Sequence, residues 1–166
     1  MSGNKKILIV EDEADLLQML KDYLEKKWQF RVFAVSDPLQ AEATCLREMP
    51  DLIILDEVMP NLKGHELVVK FRQNPQTRKI PIIAMSGLGE MVYVRNKNKW
   101  QWLPNRDIVH RRGEIIKEKS PSLAAKAYGV EAFLAKPFNP DDIIVTIQEV
   151  FEVKDVPENS DENTDE

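Results

Sequence analysis

Cysteine, histidine and long apolar runs are scarce in this chain, and each scarcity excludes a class of protein. The single cysteine, Cys45, allows no internal disulfide, which fits a reducing cytoplasm. Cys45 lies in a helical apolar pattern, so a core position is favoured over a role as a nucleophile. The two histidines, His65 and His110, are too few and too isolated for a dedicated zinc site. No apolar run could span a membrane, and the N-terminus lacks the apolar segment and cleavage site of a signal peptide.

The composition is that of a globular protein, but its charge is unevenly distributed. The 166 residues suit one domain, with 43% apolar and 31% charged residues and a net charge of −5. Residues 89–119 contain eight Lys or Arg and four acidic residues, whereas the rest of the chain has 15 basic and 24 acidic residues. This contrast predicts that residues 89–119 form a separate basic module.

Strand patterns alternate with helix patterns along the chain. The predicted strands are 6–10, 30–35, 52–55, 80–85 and 131–135. The predicted helices carry apolar stripes at Leu16, Leu17, Leu20 and Leu24, at Leu39, Ala43 and Leu46, and at Leu67, Val68 and Phe71, and two more occupy 120–129 and 139–151. Five such units predict an α/β fold, a doubly wound five-stranded parallel sheet with helices on both faces.

Charged and hydroxyl side chains follow four of the predicted strands. Glu11 and Asp12 follow the first strand, Asp56 the third, Ser86 the fourth and Lys136 the fifth. Each residue alone has an ordinary explanation as a helix cap, a turn residue or a surface cation. In parallel sheets, however, ligands bind outside the carboxyl ends of the strands. Together these residues therefore predict a functional site at one edge of the sheet.

The chemistry of this set points to phosphoryl transfer. Three neighbouring carboxylates repel one another unless a cation joins them, and Mg²⁺ prefers such oxygen ligands. One carboxylate can then attack phosphorus and form an acyl phosphate. Lys136 supplies further positive charge, and Ser86 can donate a hydrogen bond to the new phosphoryl oxygens.

Four motifs resemble those of the response-regulator receiver domains of two-component signalling, the chemotaxis regulators among them. They are "VEDE" (10–13), "LDEVMPNLKG" (55–64), "MSG" (85–87) and "FLAKPF" (133–138), in that order. The resemblance covers residues 5–151 apart from the basic module, and it implies a flavodoxin-like strand order of 2-1-3-4-5. The predicted organisation is a receiver domain at 1–151, interrupted by an insertion at about 89–119, and an acidic disordered tail at 152–166.

The resemblance also implies roles for the residues around the predicted metal. Asp56 would be the phosphoacceptor. Asp12 would bind Mg²⁺ directly, Glu11 would bind it through water, and the backbone carbonyl of Val58 would be a further ligand.

Three more residues take roles from the resemblance. Ser86 would be the switch hydroxyl, and Lys136 would bind the phosphoryl group, with a cis peptide bond between Lys136 and Pro137. Phe133 falls at the aromatic switch position, where it lacks the hydroxyl group of a tyrosine.

The insertion departs from the family pattern. Residues 91–103 predict two short strands around a polar turn, with Trp100 and Trp102 on one face, and residues 107–119 predict a helical stripe. A surface for a partner or for self-association is favoured. A structural lid and a site for single-stranded nucleic acid are the alternatives, and nucleic acid is the least expected.

These observations favour a stand-alone cytoplasmic phosphoacceptor that is not an enzyme in its own right. The predicted partners are a sensor histidine kinase or a histidine phosphotransfer protein, an output protein that binds the insertion, and a second copy of the chain. One alternative is an aspartyl phosphatase, which would require an acid two residues beyond Asp56, where the chain has Val58. The other is a receiver-like scaffold that is never phosphorylated.

Overall fold

A computed structural model describes residues 5–87, 91–96, 99–104 and 129–154. The strands are β1 (Lys6–Val10), β2 (Arg31–Val35), β3 (Leu52–Asp56), β4 (Ile82–Gly87), β5 (Met91–Asn96), β6 (Lys99–Pro104) and β7 (Ala132–Lys136). The helices are α1 (Ala14–Trp28), α2 (Ala41–Glu48), α3 (Gly64–Gln73) and α4 (Pro140–Lys154), with a short 3-10 turn at Pro38–Gln40. No helix in these ranges is both long enough and apolar enough to span a membrane.

Five strands form one parallel sheet in the order β2-β1-β3-β4-β7. This is the predicted order 2-1-3-4-5, because β7 is the fifth strand once the insertion is set aside. Strands β5 and β6 pair only with each other, as an antiparallel hairpin. The doubly wound, flavodoxin-like α/β fold is therefore confirmed, and so are the two short strands expected in the insertion.

The helices cover both faces of the sheet. On one face, α1 and α4 pack on residues such as Ile9 and Ile54; on the other, α2 and α3 pack on residues such as Leu8 and Ile53. Adjacent residues of a strand point to opposite faces, so a strand covered on both sides must be apolar throughout. All five residues of β3 are buried, which explains the continuous apolar run of its first four residues, Leu52 to Leu55.

The predicted apolar stripe of α2 was wrong. Leu39 lies in the 3-10 turn with 62% of its surface exposed, and Ala43 is exposed as well. The buried face consists instead of Ala41, Thr44 and Cys45. Pro38 and the Asp37 side chain, which accepts a hydrogen bond from the Leu39 backbone, start the turn and shift the helix phase. The core position predicted for Cys45 is confirmed.

Several boundaries differ from the predictions. Asp56, Ser86 and Lys136 do not follow their strands but lie within the last residues of β3, β4 and β7. Helix α4 continues to Lys154, two residues beyond the predicted start of the tail at 152. The helices predicted at 107–119 and 120–129, and the rest of the predicted tail, lie outside the described residues, apart from Gly129.

Arg72 fixes the point at which the chain returns to the sheet. Its guanidinium donates to the carbonyl oxygens of Gly129 (2.9 Å), Arg78 (3.0 Å) and Ile80 (2.7 Å) and contacts the carboxylate of Glu131 (3.0 Å). That carboxylate also accepts a hydrogen bond from the backbone of Ile82. The planar guanidinium can satisfy several acceptors at once, so one side chain joins α3, β4 and the start of β7.

Candidate phosphorylation and metal site

The register of the sheet brings the predicted site residues to one edge. The Cα of Asp56 pairs with that of Met85, and Gly87 pairs with Lys136. Ser86 is therefore one residue beyond the level of Asp56, and Lys136 lies at the end of the next strand. Because all these strands run in parallel, their carboxyl ends share one rim of the sheet.

Three carboxylates converge on this rim. Glu11, Asp12 and Asp56 can each offer an oxygen atom such that all three oxygens lie within 4.8 Å of one another. Glu11 and Asp56 are almost fully buried, with 1% and 3% of their surfaces exposed, whereas Asp12 is exposed. The Glu11 backbone N–H donates to the carbonyl of Val35, and its Oε1 accepts from the Glu13 N–H. The main chain thus fixes Glu11 in place.

Lys136 places its ammonium group between two of these carboxylates. Its Nζ lies 2.8 Å from Oε2 of Glu11 and 3.0 Å from Oδ1 of Asp56. Burial by itself would lower the pKa of Lys136, but the hydrogen bonds to Glu11 and Asp56 outweigh it and raise that pKa above its usual value. The lysine therefore remains charged throughout the physiological pH range.

The donor set fits a hard divalent cation. Carboxylate oxygens are the ligands that Mg²⁺ prefers, and one lysine leaves three clustered carboxylates only partly neutralised. Val58, the predicted carbonyl ligand, lies in the loop directly after Asp56 with 43% of its surface exposed. The cluster can thus hold Mg²⁺ between the ends of β1 and β3.

The two predicted switch residues are both buried. Ser86 is 1% exposed and Phe133 is 4% exposed, where it packs in the core between the sheet and helices α2 and α3. Phe133 pairs with Ala84 and so lies two residues before Ser86 in the β4 register. The predicted cis peptide bond between Lys136 and Pro137 is present.

The prediction missed a third buried acid, Glu57, which is 2% exposed. Its Oε1 lies 3.0 Å from Nδ1 of His65, whose side chain is 14% exposed. A carboxylate can only accept, so Nδ1 carries the hydrogen. His65 was judged only as a zinc ligand, and no spacing rule links a residue at a strand end to one in the following helix. The adjacent Glu57 and Asp56 were the only hint in the sequence.

Gly64 permits a close approach behind Asp56. A Cβ atom at this position would lie 2.5 Å from the backbone oxygen of Asp56 and 2.7 Å from Oε2 of Glu57. The Gly64 N–H donates to the Glu57 carbonyl at 3.0 Å. Any larger residue would displace the end of β3, which explains a glycine here.

The surface beside Lys136 forms a hollow of about 500 Å³. It is lined by Glu13, Leu16, Gly87, Lys136, Pro137 and Phe138. Among the described residues that line the hollow, apolar side chains flank Lys136, whose ammonium contacts Asp56 directly.

The fold is of the doubly wound class, with a cluster of three carboxylates at the carboxyl edge of its sheet. Residues 7–99 match the family model described as the response regulator receiver domain. This chain belongs to that family. The matched residues include Glu11, Asp12, Asp56 and Ser86, whereas Lys136 lies beyond them.

Curated relatives agree with this assignment. The phosphate regulon transcriptional regulatory protein PhoB of Pseudomonas aeruginosa is 29% identical over 146 residues, which cover 88% of this chain and 51% of that protein. PhoB of Rhizobium meliloti is 39% identical over 85 residues, 51% of this chain and 37% of that protein. The chain thus spans about half, or less, of the length of these two relatives.

Solved structures show the same fold. The chemotaxis response regulator CheY4 of Vibrio cholerae aligns with a TM-score of 0.63 and 26% identity, covering 88% of this chain and 98% of that one. A response regulator from Desulfuromonas acetoxidans aligns with a TM-score of 0.61 at 21% identity, covering 90% and 98%. The second likeness concerns the fold alone.

Proposed function

We propose that this chain accepts a phosphoryl group on Asp56 from a sensor histidine kinase or a histidine phosphotransfer protein, and passes the signal on by binding a partner. The observation that carries the proposal is the buried Asp56 carboxylate, 3.0 Å from Lys136 and clustered with Glu11 and Asp12. Receiver domains are signalling phosphoacceptors rather than enzymes that turn over a separate substrate, and this chain shares their fold and acidic rim.

The reaction is a transfer between two protein side chains. A carboxylate oxygen of Asp56 forms a bond to phosphorus while the P–N bond of the donor phosphohistidine breaks, and the imidazole leaves and takes up a proton. Phosphoryl transfer depends on positioning and charge neutralisation. Lys136 meets both needs because its contacts with Glu11 and Asp56 hold the Nζ atom beside the Asp56 carboxylate.

The metal ligands in this proposal are Glu11, Asp12, Asp56 and the Val58 carbonyl. The chemistry that Mg²⁺ supplies at such a site is neutralisation of the phosphoryl oxygens. Ser86 would move to donate to those oxygens, and Phe133 would respond from the neighbouring core. Both positions agree with this role, since Ser86 is the second-last residue of β4 and Phe133 lies in the adjacent strand.

The donor would dock at the hollow beside Lys136. Asp56 is almost completely buried, whereas the Lys136 side chain is 24% exposed, so access to the acid runs past the lysine. The apolar residues Leu16, Pro137 and Phe138 offer a surface for a helical donor.

An aspartyl phosphatase is disfavoured by the neighbours of Asp56. Such an enzyme would use an acid two residues beyond its nucleophile, where this chain has the apolar Val58. The adjacent acid, Glu57, is buried and hydrogen-bonded to His65, so it does not replace that group.

The insertion at 89–119 is proposed as the output surface. Two features support this role: its hairpin forms a sheet separate from the main one, and its basic charge contrasts with the acidic remainder. The hairpin also begins only a few residues after Ser86, so a shift of Ser86 reaches it through Gly87.

Deleting residues 89–119 should abolish binding of the output partner, or self-association measured by sedimentation. The deletion should leave phosphorylation of Asp56 intact.

The central test is phosphorylation by acetyl phosphate, followed by intact-mass measurement. The wild-type chain should gain one phosphoryl group in the presence of Mg²⁺ and none in the presence of a chelator. Asp56→Asn should gain none, whereas Asp15→Asn, at an acid in the first turn of α1, should behave like the wild type. Equal phosphorylation of the Asp56→Asn variant would show that the acceptor has been wrongly assigned.

A further inference from the structure

We infer that Glu57 and His65 form a positioning pair that holds the β3–α3 loop in the shape required for metal binding at Asp56. The inference rests on the proposed metal site and assigns a task to two residues outside it. It starts from the 3.0 Å contact between Oε1 of Glu57 and Nδ1 of His65, which joins the first residue after β3 to the second residue of α3.

The pair closes the loop from both sides. Residues 57–63 connect β3 to α3 and include Val58, the proposed carbonyl ligand. The main chain closes the loop once, through the Gly64 N–H and the Glu57 carbonyl at 3.0 Å. The side chains of Glu57 and His65 close it a second time, and Oε2 of Glu57 lies 2.7 Å from the position that a Cβ at Gly64 would take. Two closures restrict the backbone more strongly than one.

Glu57 also ties the loop to β4. Its backbone N–H donates to the Met85 carbonyl at 2.9 Å, directly before Ser86. Glu57, which lies between Asp56 and Val58, is therefore held to β4 by its backbone N–H. Its carbonyl and its side chain hold it to the start of α3. Glu57 and Val58 are adjacent in the chain, so a small rotation at Glu57 would move the Val58 carbonyl relative to Asp56.

Burial makes this pair strong and unlike a surface contact. Glu57 is 2% exposed and the His65 side chain is 14% exposed, so little water competes for the hydrogen bond. A buried carboxylate must be hydrogen-bonded to avoid a large desolvation cost. Residues that orient metal ligands from outside the ligand set typically change metal affinity by about 10- to 100-fold when they are replaced.

The test measures Mg²⁺ affinity by calorimetric titration of the wild type, Glu57→Leu, Glu57→Gln and His65→Leu. We expect Glu57→Leu and His65→Leu each to weaken binding by about 10-fold or more. Glu57→Gln keeps an oxygen that accepts from Nδ1, so it should remain close to the wild type. The double Leu variant should lose no more than either single variant, because the two residues act as one unit. Glu42→Leu, at a half-exposed acid of α2 that contacts Lys70, is the control.

The variants separate positioning from simple charge. If only the charge of Glu57 mattered, Glu57→Gln would lose as much Mg²⁺ affinity as Glu57→Leu. His65→Leu would then keep or gain Mg²⁺ affinity. Either result overturns the inference. Wild-type affinity in both Leu variants would also overturn it. Failure of the wild type to bind Mg²⁺ would instead contradict the proposed function. If circular dichroism shows that Glu57→Leu does not fold, the Mg²⁺ affinity of His65→Leu, at the more exposed position, tests the inference.

Discussion

The Nζ atom of Lys136 lies 3.0 Å from Oδ1 of Asp56, although the strands that carry them are not neighbours in the sheet. Strand β4 lies between β3 and β7, so the lysine spans it to reach the acid. The same ammonium lies 2.8 Å from Oε2 of Glu11, the residue directly after β1. One cation thus connects the ends of three strands.

Replacing Lys136 by methionine should destabilise the protein most in the absence of metal. The change leaves two buried carboxylates without their cation, which costs about 3–5 kcal/mol for a fully buried pair. Because the Lys136 side chain is 24% exposed, we expect a loss of roughly 2 kcal/mol. Saturating Mg²⁺ should recover part of it. Urea denaturation with and without Mg²⁺ measures both values.

The control for this change is Lys27→Met. Lys27 contacts Asp141 at 3.2 Å, but both side chains are more than half exposed. Such surface pairs contribute little to stability because water screens them. The bridging role would be contradicted if Lys136→Met lost no more unfolding free energy than Lys27→Met. It would also be contradicted if the loss in Lys136→Met did not change with Mg²⁺.

Replacing Asp12 by alanine should have opposite effects on the metal-free and the metal-bound protein. Removing one of three clustered carboxylates relieves repulsion, so the metal-free stability should rise by on the order of 1 kcal/mol. The same change removes a ligand, so Mg²⁺ binding should weaken by at least about tenfold. Thermal unfolding and calorimetric titration measure the two effects. Asp15→Ala should change neither, and a parallel loss of stability and affinity in Asp12→Ala would point to misfolding.

Replacing Gly64 by alanine should disturb Asp56, the proposed phosphoacceptor, through the backbone. The new Cβ would meet the Asp56 carbonyl at 2.5 Å, which forces the end of β3 or the start of α3 to move. We expect a loss of about 1–3 kcal/mol in unfolding free energy, with slower phosphorylation by acetyl phosphate.

Gly129→Ala provides the matched control. Gly129 has a φ of +83°, and among the described residues the nearest atom to its Cβ would be a Val68 methyl at 3.5 Å. The variant should lose about 1 kcal/mol from backbone strain and phosphorylate at the wild-type rate. Equal phosphorylation rates in the two alanine variants would exclude the proposed effect of Gly64 on Asp56.

Cys45 should be unreactive in the folded protein. Burial raises the pKa of its thiol to about 12, so the nucleophilic thiolate is essentially absent at neutral pH. Alkylation by iodoacetamide at pH 8 should be slow in buffer and fast in denaturing urea. Rapid modification of the native protein would contradict the buried position between α2 and the sheet.

The sequence by itself determined the fold class and the residues of the acidic rim. A strand covered on both faces must be apolar, so "LIIL" identified β3 and made Asp56 its conspicuous end. The rule that parallel strands end at one edge then brought Glu11, Asp12 and Lys136 to the same place. These predictions rest on local patterns and on one general property of parallel sheets, and neither requires knowledge of particular contacts.

The tertiary structure alone decided which distant polar groups meet. It paired Glu57 with His65 and Arg72 with Glu131, and it turned Ala41, Thr44 and Cys45, rather than Leu39 and Ala43, toward the core. The partner of a polar side chain depends on how each helix packs on the sheet, and a rotation of the helix by a fraction of a turn changes that partner. Periodicity in the sequence does not fix that rotation, because the turn before α2 and the packing beneath it set the phase.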